Sequence, residues 1–308
     1  MIHFLNLIRW KNLIMIALVQ ILIKYALLLP FSESHGVTAA LSPFAFTLLV
    51  IATLCIAAGG YIINDIYDIE TDKVNKPNKV IINKYISEKD GYTYFMLCNI
   101  IGVGLGFYLA YHINYSSLFV IFFISSALLY IYSTALKQMF LVGNIVISFV
   151  VALSIMVIGI FELIPSMTSL NNVPNITFLE IIRDYAIFAF LINLVREVIK
   201  DIEDINGDHK VGMQTMPIVL GRERANKIAF ILSLIPLFSV VYYVVNNLFK
   251  QQILVGYFLI FVVAPLIYVT IKIFSAEQPS HYKHISNILK LVMLTGMLSI
   301  LIYPFVLK

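Results

Sequence analysis

Charge is what this sequence has least of. Of its 308 residues only 12% are Asp, Glu, Lys or Arg, about half the share of a soluble domain. Mean hydropathy is +0.92, and 60% of the residues are hydrophobic. A soluble globular protein is excluded. Cysteine is nearly absent, and Cys55 and Cys98 both lie inside apolar runs. That excludes a disulfide framework and a thiolate metal centre and leaves two buried thiols. The alternating segments of about ten residues that build a membrane barrel are missing too. A net charge of +4 is too small to point to nucleic acid. No cleaved leader is expected, because the apolar run after Arg9 and Lys11 is too long and lacks a small-residue exit.

What is present is a series of apolar runs of about 20 residues, long enough to cross the hydrocarbon core as helices. Nine can be drawn, near 13–29, 43–64, 92–111, 118–132, 140–161, 185–200, 228–245, 253–273 and 285–306. The expected fold is therefore an all-α integral membrane protein, one domain over residues 1–308, with nine transmembrane helices around a central cavity. The sixth run is the poorest, reaching spanning length only by including Arg196 to Lys200. Within the first, Lys24 is expected to snorkel to an interface or to face a cavity. The loops after the second, fourth, sixth and eighth runs hold most of the lysine and arginine, whereas the polar stretch 165–175 holds none. By the positive-inside rule the N-terminus and those loops face the cytoplasm of a cell membrane.

Acidic residues gather at two places, both where an apolar run ends. In Asn64-Asp65-Ile66-Tyr67-Asp68-Ile69-Glu70-Thr71-Asp72 the residues Asp65, Asp68 and Asp72 fall within an arc of roughly 60° on a helix. Asp201, Asp204 and Asp208 repeat that spacing, with Gly207 expected to permit a turn before Asp208. The echo suggests a parallel pseudo-repeat four spans apart. Acids at the end of a span are unfavourable without cations. Hard oxygen ligands favour Mg²⁺, which usually joins one or two carboxylates to substrate phosphates. These residues point to a Mg²⁺-diphosphate site, with Asp65, Asp68, Asp72, Asp204 and Asp208 as metal ligands and Asp201 beside them in the catalytic set. Asn64, Lys73, Lys79, Arg196 and Lys200 are candidate diphosphate contacts, Arg by a bidentate fork. Lys73, Lys76 and Lys79 are individually ordinary charges that gain weight as a group beside an anionic substrate.

Asn64-Asp65-x-x-Asp68-x-x-x-Asp72 followed by Asn75-x-Pro77, together with Asp204-x-x-x-Asp208, resembles the paired signature of the UbiA superfamily of membrane prenyltransferases. The resemblance covers nearly the whole chain. It implies helices around a cavity open to lipid, where Mg²⁺ and an isoprenoid diphosphate bind. A smaller match, Tyr132-Ser133-x-x-Leu136-Lys137 with Asn144, adds Lys137 as a diphosphate contact. Two departures are Trp10 after Arg9, where the family often has proline, and Asn78-Lys79, where an arginine-proline pair is frequent. The implied chemistry is departure of a metal-neutralised diphosphate, an allylic cation shielded from water by apolar walls, and attack by an acceptor.

The run from Arg196 to Asp208 is similar to the digeranylgeranylglyceryl phosphate synthase branch, which implies a geranylgeranyl donor and geranylgeranylglyceryl phosphate as acceptor. Aromatic quinone precursors are the alternative acceptor, since a related core occurs in those branches. A cation-coupled transporter is the alternative of a different class, recognisable by acids near the bilayer midplane on broken helices. Expected partners are an isoprenoid diphosphate, a lipid or aromatic acceptor, and membrane lipid.

Overall fold

The computed structural model describes residues 2–306. Among the described residues the chain folds into nine long helices, and the only strand-like feature is an isolated bridge between Ile82 and Ile86. We number them α1 (Trp10–His35), α2 (Pro43–Tyr67), α3 (Glu88–His112), α4 (Ser116–Thr134), α5 (Val142–Leu163), α6 (Asn172–Lys210), α7 (Arg222–Asn247), α8 (Gln252–Phe274) and α9 (Pro279–Val306). All but α6 are long and apolar enough to cross a membrane.

Local sequence sets the ends. Ser42 caps α2 by accepting from the Ala45 amide at 3.2 Å, with Pro43 at the first helical position. Ser87 does the same for α3, accepting from Asp90 N at 3.1 Å. At Asp68 the backbone leaves helical geometry (φ −92°, ψ 2°), so α2 stops there and a short helix, Ile69–Asn75, restarts at a new angle. Helix α6 does not break; it runs 39 residues through both Gly207 and Asp208. The two acid stretches thus share a spacing but not a backbone path, and the turn expected at Gly207 does not form.

Helix α6 also begins at Asn172, well before the expected start near 185. The polar residues of 165–175 are consumed by tertiary bonds in place of water. Asn175 accepts from the Thr38 amide at 3.1 Å and donates to Leu163 O at 3.3 Å, while Ser166 donates to Thr38 O at 2.7 Å. This network fastens the 36–42 connection across the end of the bundle away from the acids.

Lys24 neither snorkels nor faces a cavity. It is buried, inside a π-helical stretch of α1 (Ile23–Leu28), and its Nζ lies 2.7 Å from Glu162 Oε1 of α5. Lys24 also donates to Leu41 O at 2.9 Å, and Glu162 Oε2 accepts from the Leu41 amide at 3.1 Å. One ion pair therefore locks α1, α5 and the connection between α1 and α2. Removing one partner of such a pair strands a buried charge. Glu162→Met is expected to destabilise the detergent-solubilised protein by about 3–5 kcal/mol, read as a fall in thermal unfolding midpoint. Adding Lys24→Met to it recovers most of that loss.

Candidate active site

The break at Asp68 lets the short helix lean onto the last turns of α6, and one side chain fixes the contact. Asn75 Nδ2 donates to Asp204 O at 2.8 Å, and Asn75 Oδ1 accepts from the Gly207 amide at 2.9 Å. Glycine is required opposite it, because a Cβ on residue 207 would lie 2.4 Å from Asn75 Nδ2. The two acid stretches, 129 residues apart between Asn75 and Asp204, are joined at one site.

Four of the six aspartates carry a partner. Arg9 reaches Asp65 at 2.7 Å, and Lys76 reaches Asp204 at 2.5 Å. Asp68 receives Lys137, and also Asn64 Nδ2 at 2.6 Å; Asp201 receives Asn144 Nδ2 at 2.8 Å. Asp72 and Asp208 have no side-chain hydrogen bond among the described residues. Lys137 stands between the stretches, since both Asp68 and Asp208 act on it. Burial opposes its charge, and the two carboxylates hold its pKa above the usual lysine value. Burial, then the neighbouring Asp68 charge, pushes the Asp72 carboxyl up to about 6. The turn bearing Lys137 folds tightly back on α5: a Cβ at Gly143 would meet the Lys137 Cα at 2.8 Å and Leu136 O at 2.9 Å. Across the site Gln214 N donates to Gln138 O at 2.9 Å, tying the connection after α6 to the same turn.

The structure sorts the expected basic contacts. Lys137 and Asn64 are in the site. Lys73 is exposed and turned to Glu70 at 2.6 Å, and Lys79 is exposed. Of the three loop lysines, Lys76 is the one that reaches an aspartate, because it follows Asn75 directly. Arg196 and Lys200 both bind Glu197, at 3.1 and 2.8 Å. Sequence reasoning missed the role of Arg9, of the Asn75 side chain, and of Glu197. For Asn75 the signal was present in the Asn-x-Pro segment after the first acids. Arg9 adopts left-handed backbone geometry (φ 49°, ψ 52°) at the start of α1, a strain of about 1–3 kcal/mol that its pairing with Asp65 sustains.

No three acidic, histidine or cysteine side chains converge as a ready metal cage among the described residues. The donor set nevertheless suits a hard divalent cation. All six groups are carboxylates, and ammonium groups already sit on Asp68 and Asp204, where positive charge is held. Mg²⁺ seldom takes an all-protein cage and needs only one or two carboxylates when a phosphate supplies the rest.

These features define a polytopic helical membrane protein with one carboxylate-rich, lysine-bearing site at an end of its bundle. Residues 34–288 match the UbiA prenyltransferase family, and the chain belongs to that family. It is 30% identical over 258 residues to a digeranylgeranylglyceryl phosphate synthase of Methanosphaera stadtmanae, covering 82% of this chain and 86% of that protein. Among solved structures, a UbiA homologue from Aeropyrum pernix matches with a TM-score of 0.68 at 12% identity, over 97% of each chain. One from Archaeoglobus fulgidus, solved with GPP and Mg²⁺, matches with a TM-score of 0.57 at 16% identity, over 97% of this chain and 99% of that one. Asn75→Ala is expected to lower prenyl-transfer activity about 10- to 100-fold, as the loss of a supporting hydrogen-bond partner does at other metal sites. A detergent assay, with size-exclusion chromatography to verify folding, checks this.

Proposed function

We propose that this chain transfers a geranylgeranyl group from its diphosphate to the free hydroxyl of geranylgeranylglyceryl phosphate, with Mg²⁺ as the required ion. The observation that carries the reading is the junction at Asn75, which makes one site from two aspartate stretches and brings Lys76 and Lys137 into it. The Methanosphaera relative supports the acceptor, and the Archaeoglobus neighbour supports the ion and the donor class. The metal ligands are Asp65, Asp68 and Asp72 on one side and Asp204 and Asp208 on the other, with Asp201 beside them in the catalytic set.

When bound, Mg²⁺ neutralises the diphosphate and improves it as a leaving group. The remaining work belongs to the chain. Lys76 and Lys137 lie where they can meet phosphate oxygens, and Asn64 orients Asp68. The C1–O bond of the donor breaks, the acceptor oxygen bonds to C1, and the hydroxyl proton leaves with the diphosphate product. The apolar helices beneath the site exclude water, so that the acceptor captures the allylic carbon.

The topology follows from the same reading. Helix α6 is the ninth span, with Asp201, Asp204 and Asp208 in its last turns at the site, and residues 1–308 act as one prenyltransferase domain. Loop lysine and arginine place the N-terminus and the active site on the cytoplasmic side of the cell membrane. Acids at the ends of α2 and α6, away from helix midpoints, fit a phosphate site and not a transport pathway.

Asp68→Ala and Asp204→Ala are each expected to abolish turnover while the protein still inserts; near-normal turnover in either overturns the paired site. An assay with Mg²⁺ and geranylgeranyl diphosphate, offering geranylgeranylglyceryl phosphate and aromatic acids in separate tubes, tests the acceptor. Product with the glyceryl phosphate alone is expected, and product with an aromatic acid alone moves the chain to quinone-precursor prenylation.

A further inference from the structure

Beside the aspartates, where α1, α6 and α9 meet, lies a second group of charges that touches the first through Arg9. Glu197 is buried and holds two cations: Arg196 Nη1 at 3.1 Å and Lys200 Nζ at 2.8 Å. Arg9 lies 5.0 Å above the Tyr61 ring, with its charge spent on Asp65. Asn12, one turn further along α1, lies against the Tyr61 hydroxyl and accepts from Lys290 Nζ of α9 at 2.6 Å. The like charges of Arg196 and Lys11 bear on Lys290.

The charges in this group do not cancel. Arg196, Lys200 and Lys290 have Glu197 as their only carboxylate at salt-bridge distance, so positive charge exceeds negative in this group. Asp201, next to Lys200, tempers this excess while accepting from Asn144 Nδ2 at 2.8 Å. Lys290 has a neutral amide as its partner, and Arg196 Nε is buried without a hydrogen-bond partner. Lys290 lies about 16 Å along α9 from Pro279, taking 1.5 Å per residue. A half-buried lysine at that depth, facing the bundle and lacking a carboxylate, is costly unless an anion completes it.

We propose that Arg196 and Lys290, positioned by Glu197 and Asn12, form an anion seat separate from the aspartate site, and that it holds the phosphate monoester of the acceptor. This rests on the glyceryl-phosphate reading above. A phosphate monoester carries about −1.5 to −2 charges at neutral pH, which suits a group with an excess of cations. The seat answers a physical need of the two-substrate reaction: diphosphate and acceptor phosphate repel, so each requires its own cations. Arg196 offers a fork to two oxygens and Lys290 a point charge to a third.

Steady-state kinetics with each substrate varied in turn test the seat, using Lys290→Gln, which keeps a donor to Asn12, and Lys290→Arg, which keeps the charge. Lys290→Gln is expected to raise KM for geranylgeranylglyceryl phosphate about 10-fold, or about 1.4 kcal/mol, with KM for geranylgeranyl diphosphate within about twofold. Lys290→Arg restores it. An equal rise in both KM values, or a fall in kcat alone, overturns the seat. Native mass spectrometry without donor separates this from the acceptor reading. Geranylgeranylglyceryl phosphate binding that weakens in Lys290→Gln supports the seat even if turnover proves to use only aromatic acceptors, and binding equal in both proteins overturns it. Displacement by phosphatidic acid at equal concentration gives the seat to a membrane lipid and overturns the acceptor assignment.

Discussion

Six aspartates at one end of an apolar bundle repel one another, and the local architecture is an arrangement for keeping them together. In a medium of low dielectric, like charges a few ångströms apart cost several kcal/mol unless cations intervene. The chain supplies those cations from distant positions: Arg9 from the approach to α1, Lys76 from the segment after the first acids, and Lys137 from the turn between α4 and α5. Each comes from a connection or a helix start, not from the middle of a span, so each can be offered to a ligand without exposing an apolar face. Asp72 and Asp208, the two left without a side-chain partner, are the last members of their stretches.

Opposite charge gathers the site, but geometry is fixed by neutral groups. Asn75 bonds to backbone of α6 on both its amide nitrogen and its amide oxygen, so it sets the distance between the two stretches whatever their protonation or ligation. Glycines 207 and 143 allow the two close approaches that a side chain would block. The far end of the bundle is built the opposite way. There Lys24 and Glu162 are paired with each other and with the backbone around Leu41, leaving no charge for a ligand. One end is saturated and rigid, while the other holds carboxylates and lysines whose partners can be exchanged. A bundle that binds a charged head at one end and an apolar chain within it needs that asymmetry.

Much of this was legible in the sequence. The apolar runs gave eight helices with boundaries close to those found, and the two aspartate triplets marked the site. What escaped was of two kinds. The first was tertiary use of polar residues: the stretch 165–175 shows only as a polar gap between apolar runs, yet Asn175 and Ser166 are bonded to Thr38 and α6 starts early. Lys24 misled for the same reason, because its partner Glu162 is 138 residues away. The second was choice among equivalent residues. Lys73, Lys76 and Lys79 are indistinguishable by composition, and only the orientation of the short helix after Asp68 decides that Lys76 meets Asp204. Gly207 was noticed and misassigned, since a glycine that admits a neighbour and one that permits a turn look alike until the neighbour is seen.

The basic group around Glu197 follows a different rule from the aspartate site, and the contrast bears on how two anions share one membrane cavity. At the aspartates, carboxylates outnumber cations, and a divalent ion with its phosphates can complete the balance. Around Glu197, cations outnumber carboxylates, and an anion without a metal can complete it. Glu197 has a definite part in this: it pairs with Arg196 and Lys200, its neighbours on the same stretch of α6. Without it those two cations would compete with Lys76 and Lys137 for the same carboxylates, and the distinction between a metal-diphosphate region and a metal-free anion region would be lost. One buried glutamate thus sets the local balance of charge beside the aspartates.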